Sequence, residues 1–128
     1  MNILLDTHAL LWAFVAPKSL SAEASRIIAD DENALMVSAV SVWEIATKVR
    51  NGKLPEAVAL EGRFLDALDD AGYILLSIDA ATALRAARLP ADHRDPFARL
   101  IAAQALALDI PVLSKDTKLD AFFVRRIW

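Results

Sequence analysis

Short apolar runs that alternate with longer helical segments constrain the fold of this chain more than any other feature. The runs are too short for stable helices and are predicted to be strands. They cover residues 2–5, 35–37, 73–76, 110–113 and 124–128. The segments between them have helical spacing and lie at about residues 7–15, 22–29, 39–50, 60–70, 79–89, 97–108 and 116–122. This alternation predicts an α/β fold in which helices cover both faces of a mostly parallel sheet.

The length and composition predict a single domain over residues 1–128 with a large apolar core. Of the 128 residues, 56% are hydrophobic and 24% are charged, which is typical of a globular chain. No apolar stretch approaches the roughly 20 residues that a membrane-spanning helix requires, and the first residues lack the pattern of a secretory leader. We therefore expect a cytoplasmic protein that does not enter a membrane.

The chain contains no cysteine, which excludes disulfides, thiolate zinc sites and cysteine nucleophiles. Any bound metal must have oxygen or imidazole ligands, and this favours hard cations such as Mg²⁺ or Mn²⁺. The formal net charge of -3 argues against tight general binding of nucleic acids, which usually requires a basic surface. It is compatible with a nuclease, because a cluster of carboxylates is acidic until cations bind to it.

Four carboxylates stand where strands are predicted to end or helices to begin: Asp6, Glu44, Asp95 and Asp116. Each also has a purely structural interpretation. The three aspartates can cap the helices that follow them, and Asp95 precedes a proline at the first helical position. Glu44 can complete a capping box with Ser41 or pair with Lys48 one turn later.

The joint placement of these acids favours a functional interpretation. In a parallel sheet, the carboxyl ends of the strands and the helix starts that follow them lie along one edge, where ligands bind. Four acids at such an edge would repel one another unless cations neutralised them. One or two divalent ions held there can bind phosphate oxygens, lower the pKa of a water molecule and stabilise an in-line displacement. The arrangement therefore predicts phosphodiester hydrolysis.

Four sequence blocks contain these acids and extend over nearly the whole chain. They are residues 4–12, residues 38–46 with 52–54, residues 93–97 with 101–105, and residues 110–116. In this order the blocks resemble those of VapC-type PIN-domain ribonucleases, the toxins of VapBC toxin–antitoxin pairs. The resemblance implies a PIN-like, Rossmann-like three-layer sandwich, in which a mostly parallel central sheet is flanked by helices.

The same resemblance implies an activity and a set of partners. In similar proteins the acids equivalent to Asp6, Glu44 and Asp116 coordinate Mg²⁺ or Mn²⁺, and the activity is endonucleolytic cleavage of RNA. A cognate VapB-like antitoxin and a homodimer are expected. The apolar segment with Leu10, Leu11, Trp12 and Phe14 is a candidate surface for self-association, although burial in the core also explains its composition.

One position departs from the family pattern. Where similar proteins have a third metal-site aspartate, this chain has Ala98, and Asp95 stands three residues earlier. Positions three apart share one face of a helix, so Asp95 could reach the same site. Alternatively, the activity is reduced, or the alanine was introduced to disarm a toxic protein. We expect metal ligation by Asp6, Glu44, Asp95 and Asp116.

Cations beside the blocks are candidates for contacts with RNA phosphates. Arg94 and Lys115 are favoured because they adjoin Asp95 and Asp116, and Ser114 is a further candidate for substrate binding. The other cations considered are Lys48, Arg50, Lys53, Arg99 and Lys118. His8 and His93 are expected to make ordinary polar contacts. Trp12 and Trp43 are expected to pack in a core or an interface, although either could stack on bases.

Two alternative functions remain open at the level of sequence. A phosphoacceptor signalling domain has a similar length and also uses acids with Mg²⁺, but here Asp6 lacks an acidic neighbour and the third strand ends near Ser77 without a clear acceptor aspartate. A catalytically weakened PIN domain, retained as a binding or regulatory partner, is the alternative that Ala98 suggests.

Overall fold

In the computed structural model, residues 1–90 and 92–128 are described, and five strands form a sheet that is parallel throughout. The strands are β1 (Asn2–Leu5), β2 (Ala34–Ser38), β3 (Ile74–Leu76), β4 (Val112–Leu113) and β5 (Arg126–Ile127). Their order in the sheet is β3-β2-β1-β4-β5. Strands β2 and β3 therefore extend the sheet on one side of β1, and β4 and β5 extend it on the other side. This change of side creates a crevice at the carboxyl ends of β1 and β4, where open α/β sheets bind ligands.

The helices follow the predicted pattern closely. They are α1 (Thr7–Val15), α2 (Ala22–Ala29), α3 (Ala39–Arg50), α4 (Val58–Glu61), α5 (Phe64–Asp70), α6 (Ala80–Arg88) and α7 (Pro96–Leu108), with 3₁₀ helices at Pro17–Ser19, Pro55–Ala57 and Thr117–Phe122. The single helix predicted at residues 60–70 is wrong, because α4 ends at Glu61, before Gly62, and α5 begins at Phe64. Glycine is a poor helix former, which accounts for the break. The loop predicted at residues 91–94 includes Ala91, which lies outside the described residues.

Two apolar cores lie on opposite faces of the sheet. Successive residues of a strand point to opposite faces, and in β1 the side chains of Ile3 and Leu5 enter one core while Leu4 enters the other. The first core includes residues of α1, α2 and α5. The second core is formed mainly by α7 and the 3₁₀ helix Thr117–Phe122. The result is three layers, as predicted, with β1 and β4 buried and the edge strand β3 partly exposed.

The apolar face of α1 belongs to the first core. Leu10 and Leu11 are buried, and Phe14 is partly buried against the same cluster. The ring of Trp12 lies 5.8 Å from that of Trp128, and Phe14 packs against Tyr73. Burial in the core is therefore confirmed for Leu10 and Leu11. Trp12 and Phe14 are partly accessible, so self-association through this face stays a prediction. Within the described part of the chain, no helix has the length and apolar character needed to cross a membrane.

Candidate metal and nucleic-acid site

All four predicted acids line one small pocket at the carboxyl edge of the sheet. Asp6 directly follows β1, Asp116 follows β4, Glu44 lies on α3, and Asp95 precedes α7. The remaining lining residues are Thr7, His8, Ala98, Ile101 and Leu119. The topology produces this meeting, because β4 returns to pair beside β1 and places two strand ends side by side.

The three aspartates cap helices, as their structural interpretation predicted. One carboxylate oxygen of Asp6 accepts a hydrogen bond from the backbone N–H of Ala9 at 2.8 Å. One oxygen of Asp95 accepts from Phe97 at 2.9 Å, and one of Asp116 accepts from Lys118 at 3.0 Å. Capping uses Oδ1 in each case, so the second oxygen of each carboxylate can serve another partner. Capping and ligand binding are therefore compatible in this pocket.

Asp6 is one of two acids in the pocket that are buried, together with Glu44. The second oxygen of Asp6 accepts a short hydrogen bond from the hydroxyl of Ser114, and that hydroxyl oxygen accepts from the backbone N–H of Asp116 at 2.9 Å. Burial raises the pKa of the Asp6 carboxyl above its ordinary value, although the bonds from Ser114 and Ala9 act in the opposite direction. A bound cation would favour the ionised carboxylate and offset this cost.

Ser114 was suggested by the sequence as a substrate contact, but the structure gives it a different position. Its side chain is fully buried and is not accessible from solvent in this structure. Its hydroxyl instead links Asp6 to the backbone of Asp116 and orients both. Ser114 is a positioning residue.

Glu44 is buried and lines the same pocket. Its carboxylate contacts the ammonium group of Lys48 at 2.5 Å, one helical turn later, which confirms the predicted pair. The predicted capping box with Ser41 is wrong, because the helix begins earlier and Ser38 caps it through the N–H of Val40. The hydroxyl of Ser41 instead lies 3.0 Å from that of Thr7. Glu44 is thus free of any capping role.

Asp116 has a histidine partner that the sequence did not identify. Nε2 of His93 lies 3.4 Å from the second oxygen of Asp116, and the imidazole stacks on the buried ring of Phe122 with centroids 5.7 Å apart. His93 stands in the loop before α7, so the contact ties that loop to the site. The sequence contained the histidine but no signal for its distant partner.

Arg99 also holds the loop before α7 in place. Its guanidinium donates hydrogen bonds to the backbone carbonyls of Ala86, Ala87, Leu89 and His93. These contacts join the end of α6 to the start of α7. Arg99 was considered as a phosphate contact, but its donors are directed to the backbone.

The α7 side of the pocket has one acid fewer than the family pattern. The Asp95 side chain is exposed at the helix start, and Ala98 lines the pocket without an oxygen. Within residues 1–90 and 92–128, no three histidine or acidic side chains are arranged to hold a metal ion as they stand. The side chains that line the pocket are still of the type that binds a hard divalent cation, because four of them are carboxylates. One of these carboxylates, that of Asp6, is buried. The methyl group of Ala98 contributes no metal ligand.

Aromatic and cationic side chains surround the acids. Trp43 is 61% exposed, and its ring meets that of Phe97 edge-on with centroids 5.1 Å apart. Of the two expected environments for Trp43, burial in the core is therefore wrong, and packing in an interface stays a prediction. Lys115 lies over the ring of Trp12 at 5.9 Å and lines a small cleft with Asp6 and Asp116. Cations thus stand close to the acidic pocket.

The chain is similar to known proteins in sequence and in fold. A sequence model described as the PIN domain matches residues 3–122. The fold is similar to VapBC2 from Rickettsia felis, solved bound to a DNA fragment from its promoter, with 14% identity, a TM-score of 0.72 and coverage of 99% of this chain and 98% of that chain. It is also similar to FitAcB from Neisseria gonorrhoeae, with 23% identity, a TM-score of 0.63 and coverage of 98% and 96%. A toxin–antitoxin complex from Klebsiella pneumoniae has 20% identity, a TM-score of 0.65 and coverage of 98% and 96%. No curated protein sequence gives a significant match.

Proposed function

Because the chain belongs to the PIN-domain family, we propose that it is a metal-dependent endoribonuclease and the toxin of a VapBC-type toxin–antitoxin pair. PIN domains are generally nucleases that use divalent metals. The observation that carries the proposal is the meeting of Asp6, Glu44, Asp95 and Asp116 in one pocket at the carboxyl edge of the sheet. Under this proposal, residues 1–128 act as one PIN domain.

Mg²⁺ or Mn²⁺ would be held by Asp6, Glu44 and Asp116, with Asp95 as an additional acid. When bound, such an ion supplies charge stabilisation to the phosphate and lowers the pKa of a water molecule. The role of the chain itself is to hold the carboxylates in place. Ser114 orients Asp6 and Asp116, and Lys48 forms an ion pair with the buried Glu44.

Arg94 and Lys115 would bind phosphates of the RNA on either side of the acids. Both side chains are exposed, and cations that contact phosphates position a substrate without reading its sequence. Lys115 is held over Trp12, which directs its ammonium group toward the acidic cleft. The acids alone would repel RNA, so these cations and the bound metal together supply the attraction.

The proposed partner is a small antitoxin of the VapB or FitA type, as in the toxin–antitoxin complexes whose fold this chain shares. Self-association into a homodimer is part of the same proposal. The partly accessible Trp12 and Phe14 of α1 are one candidate surface for the dimer. Exposed apolar side chains are found on α5 and β3, at Leu65, Ile74 and Leu75.

A catalytically weakened PIN domain is the second candidate function. Ala98 favours it, because this residue lines the pocket and offers no oxygen to a metal. In that case the chain would still bind an antitoxin but would cleave RNA slowly. The two candidates differ in the rate of cleavage and not in the fold.

The test is cleavage of RNA by the purified chain with Mn²⁺, with Mg²⁺ and with a chelator. We expect cleavage only with metal, and little cleavage of DNA of the same sequence. Asp6→Asn should abolish it, whereas Asp79→Asn should not. Asp79 is the matched control, since it caps α6 through the N–H of Thr82 at 2.8 Å and lies outside the pocket. Cleavage that survives Asp6→Asn would assign the activity to a contaminant or to another site.

A further inference from the structure

Strand β5 contacts the segment that carries Asp116 into the acidic pocket. The strand consists of Arg126 and Ile127 and pairs with β4. Beyond β4, the backbone N–H of Ser114 donates a hydrogen bond to the carbonyl of Ile127 at 3.0 Å. The match to the PIN-domain model covers residues 3–122, so β5 lies outside the matched region. Its contacts with the pocket are therefore not supplied by that match.

The guanidinium group of Arg126 joins two positions on either side of Asp116 in the sequence. Its Nη1 donates a hydrogen bond to the backbone carbonyl of Ser114 at 3.1 Å. Its Nε and Nη2 donate to the two carboxylate oxygens of Asp120 at 2.9 and 3.3 Å. The donors of a guanidinium group have a planar, fixed arrangement. The three bonds together therefore fix the position of Ser114 relative to Asp120.

The bond from Arg126 to Ser114 is expected to matter more than the ion pair with Asp120. The side chain of Asp120 is 55% exposed, and exposed ion pairs contribute little to stability. Ser114 is fully buried, and a hydrogen bond from a charged donor to a buried carbonyl is among the stronger ones. The hydrogen bonds to Asp120 raise the pKa of Arg126 above its ordinary value, and the negative charge of Asp116 acts in the same direction.

The backbone and the hydroxyl of Ser114 have separate partners. The hydroxyl donates to Asp6 and accepts from the N–H of Asp116. The backbone is held by β5, because Ile127 accepts from its N–H and Arg126 donates to its carbonyl. The direction of that carbonyl determines the course of the chain between Ser114 and Asp116. The orientation of the acid therefore depends on both sets of contacts.

The residue after β5 supports the same region through aromatic contacts. The ring of Trp128 lies 5.8 Å from that of Trp12. The ammonium group of Lys115 lies 5.9 Å from the centre of the Trp12 ring. Lys115 is the residue before Asp116 in the sequence, so residues 126–128 act on this acid through two neighbouring positions.

We propose that Arg126 is a positioning residue of the acidic pocket, which sets the direction of Asp116 by holding the backbone carbonyl of Ser114. The inference rests on the proposed metal site and adds to it a residue from another strand. Without the guanidinium group, the carbonyl of Ser114 loses a charged donor. The carboxylate of Asp116 then takes up several directions and is correctly placed for a metal ion for less of the time. Arg126 acts through Ser114 and does not itself bind the metal.

The first test compares Arg126→Met with Arg63→Met. Both variants lose a guanidinium group that pairs with an aspartate, since Arg63 contacts Asp70 at 3.0 Å on the surface. Mn²⁺ affinity is measured by calorimetric titration of the full chain, at a temperature at which circular dichroism shows both variants to be folded. Arg126→Met should weaken Mn²⁺ binding by about tenfold, as for loss of an outer-shell partner. Arg63→Met should leave the affinity unchanged.

Asp120→Asn separates the ion pair from the bond to Ser114. This variant loses the ion pair but retains the bond from Arg126 to the carbonyl. Its Mn²⁺ affinity should fall by less than about threefold, as expected for an exposed pair. Arg126→Lys retains a charged donor that can reach only one of the two partners, so its affinity should lie between those of wild type and Arg126→Met. A loss in Asp120→Asn as large as that in Arg126→Met would overturn the role assigned to the carbonyl.

Amide hydrogen exchange in the metal-free protein tests the positioning directly. The N–H of Asp116 is bonded to the hydroxyl of Ser114, so it exchanges when this turn opens. Exchange at Asp116, measured by NMR, should be about tenfold faster in Arg126→Met than in wild type and unchanged in Arg63→Met. If exchange became faster but Mn²⁺ bound as tightly as to wild type, Arg126 would have only a structural role and the inference would be wrong.

Failure of the positioning role and failure of the metal site give different results. If wild type does not bind Mn²⁺ but Arg126→Met exchanges faster at Asp116, the positioning role stands and the proposed metal-dependent function fails. If wild type binds Mn²⁺ and Arg126→Met has the same affinity and the same exchange, the metal site stands and the inference fails. If Arg126→Met does not fold, the comparison uses Arg126→Lys, for which normal affinity and normal exchange would overturn the inference.

Discussion

The two sides of the acidic pocket are built differently. On the sheet side, Asp6 and Asp116 follow adjacent parallel strands, and the buried hydroxyl of Ser114 connects them. On the α7 side, Asp95 is exposed at a helix start, and Ala98 presents only a methyl group to the pocket. The sheet side is held by the core, whereas the α7 side depends on the loop that Arg99 and His93 secure.

Because of this difference, the two sides are expected to contribute differently to metal binding. Side chains on a buried sheet edge have fixed positions, so their loss should be costly. Side chains at an exposed helix start are more mobile and more hydrated, so changes there should have smaller effects. The sheet side should therefore determine whether a metal binds, and the α7 side should determine how tightly it binds.

Asp6→Asn should have the largest effect. The change removes a charged ligand, so the loss of Mn²⁺ affinity should exceed the roughly 10–100-fold that follows from loss of an outer-shell partner. The metal-free protein should be at least as stable at neutral pH, because the variant no longer buries a carboxylate and can still cap α1. Calorimetric titration and thermal unfolding measure the two quantities. If Mn²⁺ stabilised the Asp6→Asn variant as much as it stabilises wild type, Asp6 would not be a metal ligand.

Ser114→Ala tests whether positioning on the sheet side matters. Asp6 would lose a hydrogen-bond donor and the N–H of Asp116 would lose its acceptor, so Mn²⁺ affinity should fall by about 10–100-fold. Ser25→Ala, at an exposed position on α2, should leave the affinity unchanged. If Ser114→Ala lowered the melting temperature but bound Mn²⁺ normally, Ser114 would have only a structural role.

Ala98→Asp would add the acid that the α7 side of the pocket lacks. We expect Mn²⁺ affinity and RNA cleavage to rise by about tenfold, equivalent to roughly 1.4 kcal/mol, and the gain to shrink as salt increases. Asp95→Asn, which retains the cap of α7, should reduce the affinity by less than Asp6→Asn does. A large loss in Asp95→Asn with no gain in Ala98→Asp would instead make Asp95 the third ligand.

The smallest expected effect is a dependence on pH. Burial raises the pKa of Asp6 above 3.8, so in the metal-free protein its contribution to stability is fully present below that value and is lost as pH rises through the raised pKa. Metal binding requires the ionised form, so the stabilisation by Mn²⁺ should increase over the same range. The increase in melting temperature with Mn²⁺ should grow by about 3 °C. In the Asp6→Asn variant, the increase in melting temperature with Mn²⁺ should not depend on pH in this way. If the variant had the same pH dependence as wild type, the titration would belong to another group.

The sequence predicted the fold well where a local pattern determines the structure. Strand β1 and helices α1, α2 and α3 begin and end as expected, because apolar periodicity and capping residues act within a few positions. The break at Gly62 was missed, since apolar residues on both sides continue the helical spacing. The resemblance to the PIN-domain family is confirmed by the match over residues 3–122.

The site was predictable in its acids but not in their partners. Asp6 and Asp116 could be identified because each follows a predicted strand and begins a helix. The contact between Ser114 and Asp6 joins positions 108 residues apart, and it exists only because β4 pairs beside β1. The contacts of His93 and Arg99 likewise depend on how the loop before α7 packs. Such distances are set by tertiary structure, and a local pattern does not encode them.

The return of β4 to the side of β1 also determines when the site comes into existence during synthesis. The first strand and Asp6 emerge early from the ribosome, but Asp116 and the strand that places it emerge only after most of the chain has been translated. Parallel pairing between such distant segments forms late and slowly. A nascent chain therefore cannot assemble the pocket until translation has passed β4.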